Sequence, residues 1–183
     1  GYRITAERYL NFGTAAIQEA AAIPSDPLVP DDSWSFYGRT PAGDRFSPLT
    51  QITPANVGKL QQVWSFSTGD MPRSGENSRG REFSFEATPI KVGDSVYFCT
   101  PHREVVSLDA TTGKLRWRYD PAGDMTHNVY QACRGVSYFD APTGSACAHR
   151  IISTASDLPR LFELDADTGK PCADFGNDGI VDL

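Results

Sequence analysis

A few residues of this 183-residue chain carry groups that bind or react. Glu86 stands in FSFEATPI, at the mouth of an apolar strand. A carboxylate there is a hydrogen-bond acceptor for a ligand, or else a strand-edge charge facing water. Arg134 stands in ACRGVSY. Its planar fork pairs bidentately with carboxylates, and its plainer role is a surface salt bridge. Just upstream, MTHNVYQACRG offers two rings, His127 and Tyr130. His102 follows CTP at a strand end and reads as a solvated turn histidine; His149 precedes an apolar strand. Asp109 and Asp165 are the kind of acid pair that general acid–base catalysis uses. They recur at one position of a repeated string, however, and that assigns them to turn structure.

The repeat is LDATTGK at 108–114 and LDADTGK at 164–170, fifty-six residues apart. Asp bonds the backbone of a tight turn, and Gly supplies the positive φ that such a turn needs. Strand patterns flank both copies. ATPIKV (87–92) and SVYFCT (95–100) bracket Gly93-Asp94, a two-residue hairpin signal. EVVSLDA (104–110) and KLRWRYD (114–120) follow, then GVSYFD (135–140), HRIISTA (149–155) and RLFELDA (160–166). QVWSFST (62–68) alternates like a strand as well. Trp117 lies four residues past Gly113, and Trp64 stands in a looser version of the same frame. About four short strands per 50–60 residues is the signature of propeller blades. Each blade is a sheet that cannot cover both faces alone; neighbours cover them, and an aromatic near the turn plugs the gap between two blades. The competing architecture is a β-sandwich with two coincidental Asp-Gly turns.

These strands need a lead-in. Residues 1–33 are Ala-rich and then Pro/Asp-rich, which predicts a short helix around 5–22 and an extended linker. Thr53-Pro54 predicts a helical turn with Thr53 as N-cap. RSGENSRGREF (73–83) reads as an exposed loop and a possible lid near Glu86. Composition fits one all-β unit: 39% hydrophobic, 11% aromatic, with 16 Gly and 13 Pro. Net charge is −6 with no basic stripe, which argues against nucleic acid as a partner. No apolar run reaches transmembrane length. The four cysteines, 99, 133, 147 and 172, form no C-x-x-C. A Cys133–Cys147 disulfide would close a 15-residue loop worth roughly 3 kcal/mol in the chain-entropy model. Four buried free thiols are the alternative.

The turn string followed by Trp resembles the tryptophan-docking motif of the quinoprotein dehydrogenases, which depend on pyrroloquinoline quinone (PQQ). WSFYGRTPAGDRFSPLTQITPANVGKLQQVWSFSTGD resembles the opening of their propeller domain. TPIKVGDSVYFCTPHREVVSLDATTGKLRWRYDP and CRGVSYFD resemble the membrane-bound glucose/quinate/shikimate/polyol branch. The resemblance runs from Trp34 to the end. It implies an all-β fold, the first blades of an eight-bladed β-propeller, with residues 1–33 as lead-in and 34–183 as an opening segment and about two blades. It implies PQQ on the axis with calcium or another divalent metal. It further implies oxidation of a sugar, polyol or cyclitol at the periplasmic face, electron transfer to ubiquinone, and membrane attachment through segments outside this chain. Residue by residue, it gives Glu86 to the cofactor's pyrrole N–H and Arg134 to its carboxylates. Tyr130, or His127 with a short gap, takes the place over the cofactor ring, where the sugar-oxidising branch has His. No adjacent cysteine pair is present, unlike in the alcohol-oxidising relatives. The catalytic base and the metal ligands are expected in later blades. A non-enzymatic scaffold propeller built from the same repeat is the other functional reading.

Overall fold

The computed structural model describes residues 33–74, 82–123, 130–155 and 159–183. The expected N-terminal helix, most of the expected lid and His127 lie outside them. Ten strands follow in order: β1 (Glu82–Phe83), β2 (Ile90–Val92), β3 (Ser95–Cys99), β4 (Val105–Asp109), β5 (Leu115–Tyr119), β6 (Tyr130–Gln131), β7 (Ser137–Asp140), β8 (His149–Ala155), β9 (Arg160–Asp165) and β10 (Ile180–Asp182). Strands β2–β5 form one antiparallel four-strand meander and β7–β10 form a second.

The repeated string explains how the meanders are joined. In the β4–β5 turn, Asp109 Oδ1 accepts hydrogen bonds from the Thr112 amide and hydroxyl, both at 2.8 Å. After β9, Asp165 Oδ1 does the same for Thr168, at 2.8 and 2.7 Å. Gly113 and Gly169 then sit at φ +69 and +71, a region that costs other residues steric energy. Their missing side chains leave room for an indole. A Cβ on Gly113 would lie 2.6 Å from the Trp64 ring, and one on Gly169 would lie 2.6 Å from the Trp117 ring. The indole N–H of Trp64 donates to the Ala110 carbonyl at 3.2 Å; that of Trp117 donates to Ala166 at 2.8 Å. Asp shapes the turn, Ala accepts the indole, Gly lies beneath it, and Thr braces Asp.

Trp117 belongs to the first meander and docks on the second, while Trp64 precedes the first and docks on it. The same contact therefore propagates from sheet to sheet in one direction. A sandwich closes on itself and has no such step; stacked blades require it.

Burial follows from the stacking. One core cluster joins Ile90, Tyr97, Val105 and Trp117 of the first sheet to Ile151, Ala155, Phe162, Leu164 and Ala166 of the second. Phe98, Val106 and Leu108 point to the other face of the first sheet, where Trp64, Phe66 and Ala87 cover them. With both faces buried, β3 and β4 read as nearly continuous apolar runs, SVYFC and VVSLD. Fully burying a side chain such as Phe162 or Ile151 contributes about 1.5–3 kcal/mol.

Three expectations need correction. Residues 62–68 form no ladder with any described strand, although they alternate correctly. Side chains hold them instead, with Phe66 edge-on to Phe98 at 6.3 Å. The turn near Thr53 is a short 3-10 turn, Val57–Lys59, with Asn56 at the N-cap position. The Thr53 carbonyl accepts the Asn56 and Val57 amides at 3.1 and 2.9 Å, so a turn does open at Thr53, but Asn56 Oδ1, accepting the Thr53 amide, is the side chain that closes it. The disulfides are Cys99–Cys133 and Cys147–Cys172, with Cα separations of 5.8 and 5.7 Å. Neither the Cys133–Cys147 bridge nor four free thiols occurs. Strand β7 lies between Cys133 and Cys147, and four extended residues at ~3.3 Å each carry the chain beyond disulfide reach.

Candidate functional site

Two short strands missed in the sequence position the site. β1 and β6 pair in parallel, Glu82 with Tyr130 and Phe83 with Gln131. The pairing continues beyond them: the Ser84 amide donates to the Gln131 carbonyl at 3.0 Å, and the Thr88 amide donates to the Arg134 carbonyl at 2.9 Å. The segments entering the two sheets are thus laced side by side. Two-residue strands carry no alternation, so nothing in the sequence announced them.

This lacing brings together three of the four residues singled out for cofactor binding. The Tyr130 hydroxyl donates to Glu86 Oε1. Arg134 Nη2 lies 3.4 Å from Glu86 Oε2. The carboxylate thus has a phenol on one oxygen and a guanidinium on the other. The hydrogen bond its O–H donates to Glu86 holds the Tyr130 phenol above its usual pKa, and the charge of the same carboxylate adds to the effect. Burial divides backbone from side chains. Gln131, Ala132 and Cys133 are buried, while the Arg134 side chain is 81% exposed. An exposed pair at this distance contributes little to stability, so Arg134 is free to turn toward another anion. Beside it lies a recess of about 350 Å³ lined by Arg103, Tyr130, Ala132, Cys133, Arg134 and Gly135.

Arg103 was not anticipated. It has φ +66, its Nη1 donates to Thr154 Oγ1 at 3.2 Å, and burial lowers its pKa. A single arginine in a polar turn gave no signal of this. His102 also departs from expectation. It is 2% exposed, not solvated. Its ring bonds Asp70 Oδ1, and Asp70 Oδ2 accepts its backbone amide at 3.0 Å. Its ring also lies 5.1 Å from that of Phe83 in β1. Burial pushes the Asp70 pKa up, but the Thr100 hydroxyl, followed by the His102 amide and ring, outweighs it and keeps the pKa low. His149 is exposed, bonded to Tyr138 and Asp140 at the far end of β7 from Arg134. Asp109 and Asp165 are turn residues, as expected. Among the described residues, no cluster of three or more His, Cys, Asp or Glu could hold a metal ion, and no helix is long and apolar enough to cross a membrane.

Successive four-strand meanders locked by indole-on-glycine contacts define the chain as part of a β-propeller. Its family follows from comparison with known proteins. Residues 34–183 match the family described as PQQ: glucose/ethanol/alcohol dehydrogenase, beta-propeller domain, and the chain belongs to that family. It is 42% identical to the quinoprotein glucose dehydrogenase of Gluconobacter oxydans over 183 residues, covering 93% of this chain and 22% of that protein. It is 34% identical to the quinate/shikimate dehydrogenase (quinone) of Acinetobacter baylyi, covering 92% of this chain and 22% of the other. The crystal structure of the quinohemoprotein alcohol dehydrogenase from Comamonas testosteroni superimposes with a TM-score of 0.57 at 28% identity, over 79% of this chain and 19% of that one. The chain thus spans about a fifth of the length of these relatives.

The donor set fits the cofactor the family name implies. PQQ carries three carboxylates and a pyrrole N–H. Arg134 presents an exposed guanidinium, and Glu86 presents a carboxylate at its side. One binds anions and the other accepts an N–H.

Proposed function

We propose that this chain is the opening of the propeller of a PQQ-dependent dehydrogenase acting on a sugar, polyol or cyclitol, and that it supplies part of the cofactor site. In this reading, residues 34–183 are the opening segment and two blades of an eight-bladed ring, and 1–33 lead into it. The observation that carries it is the convergence of Glu86, Tyr130 and Arg134 on one laced pair of segments.

The cofactor supplies a quinone that accepts a hydride. The residues of this chain bind and orient it. Arg134 pairs with a cofactor carboxylate, and Glu86 accepts the pyrrole N–H. Tyr130 contributes an aromatic face for stacking, with its hydroxyl tethered to Glu86. His127 stands as the alternative stacking residue. Proton removal from the substrate and binding of calcium, or another divalent metal, fall to residues elsewhere in the ring. Two disulfides suit an oxidising compartment, which supports a periplasmic site of action. Membrane attachment and ubiquinone as acceptor complete the proposal, from the likeness to the glucose and quinate enzymes.

The test reconstitutes the full-length apoprotein with PQQ and calcium and follows reduction of an artificial dye with glucose, quinate, shikimate and glycerol. Cofactor-dependent reduction with at least one of them is expected. A protein that neither binds PQQ nor reduces the dye with any of the four would overturn the proposal.

A further inference from the structure

The Cys99–Cys133 disulfide lies where it can do more than stabilise the fold. Cys99 ends β3 in the first sheet, and Cys133 precedes β7 in the second. The bridge therefore ties two successive blades. Cys133 also lines the recess and is the immediate neighbour of Arg134. Cys99 is 0% and Cys133 2% exposed, so the tether is buried while the guanidinium it precedes is open.

Two anchors stand out in the backbone around Arg134. One is the lacing to 84–88, which ends with the Thr88 amide on the Arg134 carbonyl. The other is the disulfide, one residue earlier and directed to another strand. Without it, the covalent tie from this segment to β3 is lost, while the lacing to 84–88 remains. The disulfide adds a second direction of restraint at the residue next to Arg134, whereas Tyr130 keeps its own tie to Glu86. The Cys147–Cys172 bridge makes no such connection. It lies within the second sheet's own connections, and neither cysteine lines the recess.

We propose that the Cys99–Cys133 disulfide is a positioning device: it holds Arg134 in the geometry that retains the anionic cofactor. This rests on the reading of Glu86, Tyr130 and Arg134 as a cofactor site. It acts through Arg134 and touches no substrate. Losing well-placed charge-assisted hydrogen bonds lowers affinity by about tenfold or more.

The test is a double-mutant cycle on PQQ affinity, measured with calcium on the full-length apoprotein by fluorescence quenching. Cys99→Ala/Cys133→Ala is combined with Arg134→Ala. The disulfide variant alone is expected to weaken PQQ binding by about tenfold or more, and by less than about twofold in the Arg134→Ala background. Cys147→Ala/Cys172→Ala is expected to lower thermal stability yet leave PQQ affinity within about twofold. Cys99→Val/Cys133→Ala restores lost volume and serves where the alanine pair does not fold. Equal losses in both backgrounds, or equal losses from removing either disulfide, would overturn the proposal while leaving the cofactor site intact. A wild-type protein that does not bind PQQ overturns the site as well.

Discussion

Replacing Gly169 by alanine tests the indole lock between blades. The substitution does two separable things. It places a Cβ at φ +71, at about 1–2 kcal/mol for the left-handed region. It also drives that Cβ to 2.6 Å from the Trp117 ring. Trp117 is 9% exposed, packs against Tyr97 and is bonded to the Ala166 carbonyl, so the ring has nowhere cheap to go. Overpacking of this kind costs about 1–3 kcal/mol, and losing the indole hydrogen bond costs about 1 kcal/mol more. The total is about 3–6 kcal/mol. Gly93→Ala is the control: φ is +55, and a Cβ there meets nothing within 4 Å, so about 1–2 kcal/mol is expected. Gly113→Ala should fall between the two, because Trp64 covers it at the same distance but is only partly buried and can shift more easily. The assay is urea unfolding of the full-length protein, comparing midpoints across the three variants. Similar midpoints for Gly93→Ala and Gly169→Ala would refute the reasoning, since backbone strain alone would then explain both.

Other outcomes follow from the same geometry. Trp117→Phe keeps a ring but removes the donor; the Ala166 carbonyl retains the Tyr97 hydroxyl at 3.1 Å, so a loss of about 1–2 kcal/mol is expected in the same assay. Arg134→Lys replaces a fork by a point charge and should raise the PQQ dissociation constant about tenfold with little change in substrate KM, as titration and steady-state kinetics would show. Arg116, followed by the Thr112 side chain and amide, holds the Asp109 carboxyl well below its usual range. A depressed folded pKa contributes stability that is complete above the unfolded value of ~3.9 and is lost as pH falls through the folded one. Asp109→Asn should therefore flatten the loss of stability below about pH 4 in acid-unfolding curves. Glu86→Gln should bring the Tyr130 phenol down toward its ordinary pKa, which ultraviolet difference titration against wild type and Tyr130→Phe would register.

The blades were legible because most strands obey a local rule. Gly93-Asp94 and the Asp109–Gly113 turn fix two hairpins, and the apolar runs between them fix what is buried, whereas β10 pairs with β9 only after a longer connection and left no signal. The repeat pointed to stacking before any contact was known, and Trp117 supplied the means. What stayed hidden depends on partners distant in sequence. Cys99 meets Cys133 only once the second sheet has packed on the first, so the short Cys133–Cys147 interval misled. Gln131 and Phe83 pair through two-residue strands that leave no pattern. His102 follows a proline in a polar turn and looks solvated, yet Asp70, thirty-two residues earlier, and Phe83 enclose it. Glu86 and Arg134 could be named from family resemblance. The phenol of Tyr130 on the same carboxylate could not, because it is a property of the lacing.

The most direct test of the central claim is an experimental structure of the full-length protein with PQQ bound. The account predicts a cofactor carboxylate within hydrogen-bonding distance of the Arg134 guanidinium and a Glu86 oxygen on the pyrrole N–H. A cofactor bound away from the paired segments at 82–88 and 130–135, or Arg134 and Glu86 both facing bulk solvent beside it, would contradict it.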